Sequence, residues 1–485
     1  MKLGVFRLED KIKNIVTQVI ENIRKQGLID DSNLQAVVSK TISGAKGQNG
    51  IFSDVESAVI SAKQAQRELL ALGMEKRKEI IIAIREAGIK NARMLAELAV
   101  QETGMGRVED KVLKNESSAG LTPGVEDLTS DVKTGSRGML LVEYTPYGVI
   151  NSITPSTNPT STVIHNSICM LSAGNAVIFS PHPTAKECTL KAMTILNNAI
   201  VKCGGPENLL VAVADPTLRT AKEIMEHPEV DMVVATGGAG VVRVALSTGK
   251  KAIAAGPGNP PVVVDETADI SKTAQHITNG ASFDNNLLCI GEKEIFVVQD
   301  VADKLISEMV KNGCYLAKGR EANAVIDIVT DNGKPNKDYI GKDASYILEK
   351  AGIRVSDNVK VIIIETKADH PLVTGEFLMP VVPVVRVRNF DEALECALES
   401  EHGFHHTSII HSQNLSRITR FVQTMRTTVM VVNGSSLASM GFDAEGIITL
   451  TIAGTTGEGY TTPRNFAQQS RITMVDSVSV FSQSL

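Results

Sequence analysis

The sequence predicts an α/β protein with two parallel-sheet lobes, and three observations carry that prediction. Two series of short apolar runs alternate with helical stretches, the pattern of crossover units. A glycine-rich turn, Thr236-Gly237-Gly238-Ala239-Gly240, follows one such run and opens a helical stretch. At 485 residues the chain exceeds one ordinary core and has room for roughly three domains.

Taken in order, Arg7 to Gln26 places Leu8, Ile12, Ile15, Val16, Val19, Ile20 and Ile23 at three- and four-residue spacings, an amphipathic helix with one charged face. Ser43-Gly44-Ala45-Lys46-Gly47-Gln48-Asn49-Gly50 reads as a flexible linker, so the helix is attached to the body rather than built into it. From Asp54 to about Thr103 the pattern is helical, with Val55, Val59, Leu69, Ile80, Ile84 and Leu95 among the expected core positions. The first apolar series comprises Val149–Ile153, Ala176–Phe179, Leu209–Val213, Met232–Ala235 and Ala252–Ala255. The second comprises Val262–Val264, Glu294–Val298, Val361–Ile364, Val381–Val385, Thr407–Ile410 and Val429–Val432. Ser470 to Val480 alternates apolar and polar residues like an exposed strand, an aggregation hazard unless paired, and a partner subunit is the expected source of pairing.

Composition narrows the function. Hydrophobic residues at 43% and charged residues at 21% suit a folded protein with a large core. The balance of 49 Lys+Arg against 55 Asp+Glu, net −6, gives no electrostatic footprint for nucleic acid or an anionic membrane. No stretch reaches the roughly 18 apolar residues of a membrane span, and no secretory signal is evident, so the expected location is the cytoplasm. Six cysteines without a C-x-x-C pair indicate reduced thiols and no zinc site.

Two glycine-rich features and one cysteine carry chemistry. Backbone N–H groups of Thr236-Gly237-Gly238 are placed to face a phosphate with a helix dipole behind them; a plain strand-to-helix turn is the alternative. Gly256-Pro257-Gly258-Asn259-Pro260-Pro261 reads first as a hinge between lobes. Cys169, Cys188 and Cys396 sit in helical surroundings, where a thiol is usually a small core hydrophobe. Cys289 lies between turn-prone Asp284-Asn285-Asn286 and Gly291, just before a strand, a better position for a nucleophile.

Asn158 in Thr154-Pro155-Ser156-Thr157-Asn158-Pro159, the Ser180-Pro181-His182-Pro183 turn, Thr236-Gly237-Gly238, Cys289, and Glu376 in Gly375-Glu376-Phe377-Leu378-Met379-Pro380 follow one another in a recognisable order. In that order and spacing the chain resembles the aldehyde dehydrogenase superfamily, and more narrowly its CoA-acylating members from bacterial microcompartments. The resemblance covers about residues 50 to 480. It implies a Rossmann-type nucleotide-binding domain, an α/β catalytic domain and a β oligomerisation extension. The implied boundaries are 1–45 for the helix and linker, 46–258 for the nucleotide-binding domain with an oligomerisation hairpin near 128–146, 259–455 for the catalytic domain and 456–485 for the terminal oligomerisation segment.

The resemblance also implies roles. Cys289 attacks an aldehyde, and the Asn158 amide with a backbone N–H near the cysteine holds the oxyanion. Thr236, Gly237 and Gly238 lie near the cofactor phosphates, Ser180, Pro181 and His182 near its adenosine, and Glu376 near the nicotinamide ribose. Where hydrolytic relatives carry the water-activating glutamate of a Glu-Leu-Gly-Gly motif, this chain has Ala254-Ala255-Gly256-Pro257, which favours transfer of the acyl group to coenzyme A. His406 matches a histidine of acylating enzymes that is placed to take the CoA thiol proton; a structural imidazole is the alternative. Ser180 replaces a lysine that often contacts the adenosine ribose, which leaves NAD against NADP open with NAD favoured.

The expected function is NAD-dependent, CoA-acylating oxidation of a short-chain aldehyde, propionaldehyde before acetaldehyde, by a homodimer or homotetramer. Residues 7–26 are expected either to dock on microcompartment shell proteins or to pack on their own domain. The competing functions are a hydrolytic aldehyde dehydrogenase and a non-catalytic microcompartment cargo protein.

Overall fold

The computed structural model describes residues 47–476, so the helix expected at 7–26 lies outside the described residues. Each apolar run of the two series coincides with a strand to within a residue or two.

Chain entry is at β1 (Ile51–Phe52), after which Asp54 caps α1 (Val55–Lys90) by accepting the Ser57 N–H at 2.8 Å. Gly73, at φ 78°, breaks α1 into two helices. Two helices, α2 (Ala92–Thr103) and α3 (Val108–Leu121), lead to the antiparallel hairpin of β2 (Asp131–Gly135) and β3 (Gly138–Pro146). The first sheet then forms from β4 (Val149–Thr154), β5 (Ala176–Pro181), β6 (Leu210–Val213), β7 (Met232–Thr236) and β8 (Lys251–Ala255). Its order is β1-β6-β5-β4-β7-β8, with every pairing parallel. Helices α4 (Pro159–Ser172), α5 (Lys186–Lys202), α6 (Leu218–Glu226) and α7 (Ala239–Ser247) make the crossovers. Because helices cover both faces, β4 and β5 are buried along their whole length; β5 reads as the apolar run Ala176–Phe179, whereas β4 carries Asn151, which donates to Ile178 O and Ser180 Oγ, and Ser152, which accepts from the Asn166 amide.

The second sheet starts at β9 (Pro261–Val264), followed by α8 (Ile270–Ser282), β10 (Glu294–Val298) and the edge strand β11 (Cys314–Ala317). After a short antiparallel pair, β12 (Thr330–Asp331) and β13 (Lys334–Pro335), the sheet continues with β14 (Val361–Thr366), β15 (Val381–Val387), β16 (Thr407–His411) and β17 (Val429–Val432). The order is β11-β14-β15-β10-β9-β16-β17, again parallel throughout. A second short pair, β18 (Ile452–Ala453) and β19 (Gly459–Tyr460), precedes the terminal strand β20 (Ala467–Val475).

Two expectations change. The terminal strand begins earlier than expected and finds its partner in its own chain: β20 runs antiparallel to β3, with Gln468 opposite Thr145 and Val475 opposite Gly138. The hairpin supplies a nine-residue partner for one side of β20, which itself forms the edge of this three-stranded sheet. The segment expected as a hinge is locked instead. Gly258, Asn259 and Pro260 are buried, and the Asn259 amide donates to Val373 O and Ser400 O at 2.9 Å each and to Glu294 Oε1 at 3.2 Å.

Candidate active site

A cavity of about 770 Å³ opens along the C-terminal ends of β4, β5, β7 and β8, where ligands collect in open parallel sheets, and reaches across to the loop before β10. All ten residues singled out in the sequence line it: Asn158, Ser180, Pro181, His182, Thr236, Gly237, Gly238, Cys289, Glu376 and His406.

On the β7 side the wall is mainly backbone. Gly238 caps α7, so the helix N-terminus faces the cavity. A Cβ built on Gly237, Gly238 or Gly240 meets no atom within 4 Å, which leaves a vacant cradle of the kind a phosphate fills. Asn151 holds the neighbouring turn by donating to Ser180 Oγ at 2.9 Å. These residues fit a dinucleotide: N–H groups and a helix dipole for phosphate, and His182 and Pro181 on the wall beside it.

The cysteine side is built differently. Asp284, Asn285 and Asn286 take φ of 47°, 55° and 61°, three successive left-handed residues that Asp and Asn tolerate best. They turn the chain so that Leu287, Leu288 and Cys289 reach the cavity. Lys293 braces this loop from behind, donating to Asn286 O and Oδ1 at 2.7 Å each and to Leu288 O at 3.0 Å. Gly258 fits between the Cys289 carbonyl oxygen and the His406 ring, which an added Cβ would approach to 2.9 and 3.0 Å.

The electrostatics follow from burial. Desolvation, then the Glu376 carboxylate, pushes the Cys289 thiol up to about 12, against the pull of Lys293 and Lys114. Glu376 is itself raised to about 7 by burial, opposed by Lys293 and by a bond from the Gly258 N–H. Burial and Lys293 lower His406 to about 4, so its imidazole is neutral near pH 7; its Nδ1 lies 2.8 Å from Thr407 Oγ1. Lys293 is lowered by burial to about 8, with Glu376 and Cys289 opposing.

Sequence reasoning passed over Lys293 and Lys114, and took Asp284 only as part of a turn. Glu292, Lys293 and Glu294, three successive charged side chains, are all buried. Where a water-activating carboxylate would stand, Ala255, Gly256 and Pro257 form bare wall, and Glu376 is the one carboxylate lining the cavity among the described residues.

A nucleotide cradle and a cysteine sharing one cleft between two parallel-sheet lobes define a nucleotide-dependent oxidoreductase that works through a thiol. The aldehyde dehydrogenase family model matches residues 39–447, and the chain belongs to that family. It is 45% identical over 449 residues to the acetylating acetaldehyde dehydrogenase EutE of Escherichia coli (strain K12), covering 91% of this chain and 96% of that protein. A propionaldehyde dehydrogenase from the Clostridium phytofermentans fucose utilisation bacterial microcompartment superposes with a TM-score of 0.88 at 44% identity, over 89% of this chain and 99% of that one. The Rhodopseudomonas palustris propionaldehyde dehydrogenase with bound propionyl-CoA gives a TM-score of 0.87 at 44% identity, over 90% of this chain and 97% of that one.

Proposed function

We propose that this chain oxidises a short-chain aldehyde, propionaldehyde first, to the acyl-CoA, using NAD and coenzyme A in a ping-pong sequence through a thioester on Cys289. The observation that carries the reading is the stretch Ala255–Pro257, which lines the same cavity as Cys289 and offers no base to activate water. The relatives that act on acetaldehyde and propionaldehyde, and the one holding propionyl-CoA, support the same chemistry.

Cys289, once it loses its proton, attacks the aldehyde carbon, and Asn158 donates its amide hydrogens to the oxyanion that forms. Glu376, in the same cavity, takes the place the resemblance implies for it, near the nicotinamide ribose. The chemistry that NAD supplies when bound is acceptance of hydride, which converts the adduct to a thioester. With no carboxylate at the Ala255–Pro257 wall, the thioester persists until the coenzyme A thiol takes the acyl group and Cys289 departs. His406, which lines the same cavity, is the residue to which the resemblance assigns that thiol's proton.

From the resemblance, residues 7–26 are also proposed to dock on shell proteins, and the β2-β3-β20 sheet to serve a homodimer or homotetramer in the cytoplasm. Deleting residues 1–45 is expected to abolish co-purification with shell proteins.

The function is tested by following NADH and products from propionaldehyde with and without coenzyme A, in wild type and Cys289→Ala. CoA-dependent propionyl-CoA formation, lost in the variant, is the expected result. Sustained propionate formation without coenzyme A would establish the hydrolytic alternative.

A further inference from the structure

Behind the cavity wall lies a buried charge cluster that the chemistry above does not use. Asp284 is fully buried and receives two ammonium groups on one oxygen, Lys111 at 3.0 Å and Lys114 at a shorter contact. Its other oxygen accepts the Arg107 N–H at 2.8 Å. The two lysines stand three residues apart on one face of α3, and each also grips the loop that ends in Asn158. Lys111 donates to Thr157 O at 3.0 Å, and Lys114 donates to Asn158 Oδ1 at 2.5 Å.

An ammonium carries only donors. The atom of the Asn158 amide that faces Lys114 is therefore the oxygen, and the NH2 is turned away from it, bonding Thr157 Oγ1 at 3.2 Å. A flipped amide would set two donors against each other at Lys114 and aim its carbonyl oxygen where negative charge develops. Asp284 completes the link, because it opens the left-handed turn that carries the chain to Cys289.

We propose that Lys114 is the positioning residue of the oxyanion site: it fixes the Asn158 amide with its NH2 available to the substrate oxygen, and through Asp284 it holds that donor in one frame with the Cys289 loop. This rests on the function proposed above. The burial of all three charged groups fits such a frame, since surface charges would neither stay in one rotamer nor exclude water. Lys114 is 1% exposed and touches no cavity space, so its effect reaches the reaction through Asn158.

The test is the pre-steady-state burst of NADH with propionaldehyde and NAD before coenzyme A is added. A wild-type burst that Cys289→Ala abolishes is the first arm; its absence overturns the function itself, and this inference with it. Given that burst, Lys114→Met is expected to slow it about 10- to 100-fold, with the apparent KM for NAD changed by less than about twofold. In the Lys114→Met/Asn158→Ala pair the lysine substitution is expected to slow the burst far less than it does in wild type, because most of its effect passes through the amide. In isotope-edited infrared spectra the propionyl thioester carbonyl of Lys114→Met is expected at higher wavenumber than in wild type. A wild-type burst in Lys114→Met, or losses that multiply in the pair, overturns the proposal while leaving the function intact. If Lys114→Met does not fold, Lys114→Gln serves, since its amide still donates to Oδ1. A burst within about tenfold of wild type supports the proposal, and one as slow as Asn158→Ala overturns it.

Discussion

On the β7 side of the cavity the wall is made of glycines, backbone N–H groups and a helix end, with vacant space wherever a side chain would start. Across the cleft, Cys289 rests on a turn of three left-handed residues, held by a buried ammonium and pressed by Gly258 from the side. The first surface can take a ligand without moving any protein group. In the second, almost every atom is already committed to another. One half is open and tolerant, the other stiff and charged, and this fits a division between binding a cofactor and holding reacting atoms in register.

The sharpest way to break that contrast is to ask whether the charged half really keeps its cysteine protonated. With the thiol pushed up to about 12 by burial and Glu376, only a small thiolate fraction exists at neutral pH. Below that value each pH unit raises the thiolate fraction tenfold. Carbamidomethylation of Cys289 by iodoacetamide, read by mass spectrometry in the cofactor-free enzyme, is therefore expected to accelerate about 1000-fold between pH 7 and pH 10. A rate already flat at pH 8 would mean that Lys293 and Lys114 outweigh burial.

Next in size is Lys293→Met, which keeps the length of the side chain and removes the brace. Asn286 O, Asn286 Oδ1 and Leu288 O lose their shared donor in a buried site. Relief from burying a charge offsets part of the loss, so a net destabilisation of about 3 kcal/mol by denaturant unfolding is expected, together with a slower NADH burst. Unchanged stability would show that the loop holds its turn unaided.

One substitution made on both sides tests the comparison directly. Gly258→Ala drives a Cβ to 2.9 Å from the Cys289 carbonyl, so about 1–3 kcal/mol of stability and part of the burst are expected to go. Gly238, at φ −65°, adopts a backbone open to any residue, and its Cβ meets no protein atom. For Gly238→Ala the stability is expected to stay within about 0.5 kcal/mol, while NADH binding weakens about tenfold. Equal effects on stability would remove the distinction between the halves.

The open half was also the more legible in sequence. Glycines after a strand announce themselves, and the buried strands Ala176–Pro181 and Met232–Thr236 open on unbroken apolar runs. Two of the four edge strands of the two parallel sheets did not: Ile51–Phe52 is too short for a pattern, and Cys314–Ala317 is only partly buried. In the stiff half the turn-prone Asp284-Asn285-Asn286 was visible, but its supports were not. Lys114 and Asp284 meet across 170 residues of chain, which no spacing rule anticipates. Lys293 went unremarked because two of its three partners are backbone carbonyls of its own loop, and backbone acceptors leave no trace in a sequence.

The smallest expected effect belongs to His406, where resemblance and environment pull apart. Resemblance makes it the acceptor of the coenzyme A proton, yet burial, with Lys293 adding to it, holds the imidazole at about 4. Taking a proton from a thiol of pKa about 8.5 would then run uphill by roughly 6 kcal/mol. So poor a match cannot deliver the factor of about 10²–10⁴ typical of a tuned acid–base group. His406→Ala is accordingly expected to slow the coenzyme A half-reaction by only about threefold to tenfold, measured by adding coenzyme A to the preformed acyl-enzyme. A loss above about a hundredfold would show that filling the cavity raises the imidazole into the working range. The stiff half would then owe its chemistry to the ligands that enter it as much as to the charges buried around it.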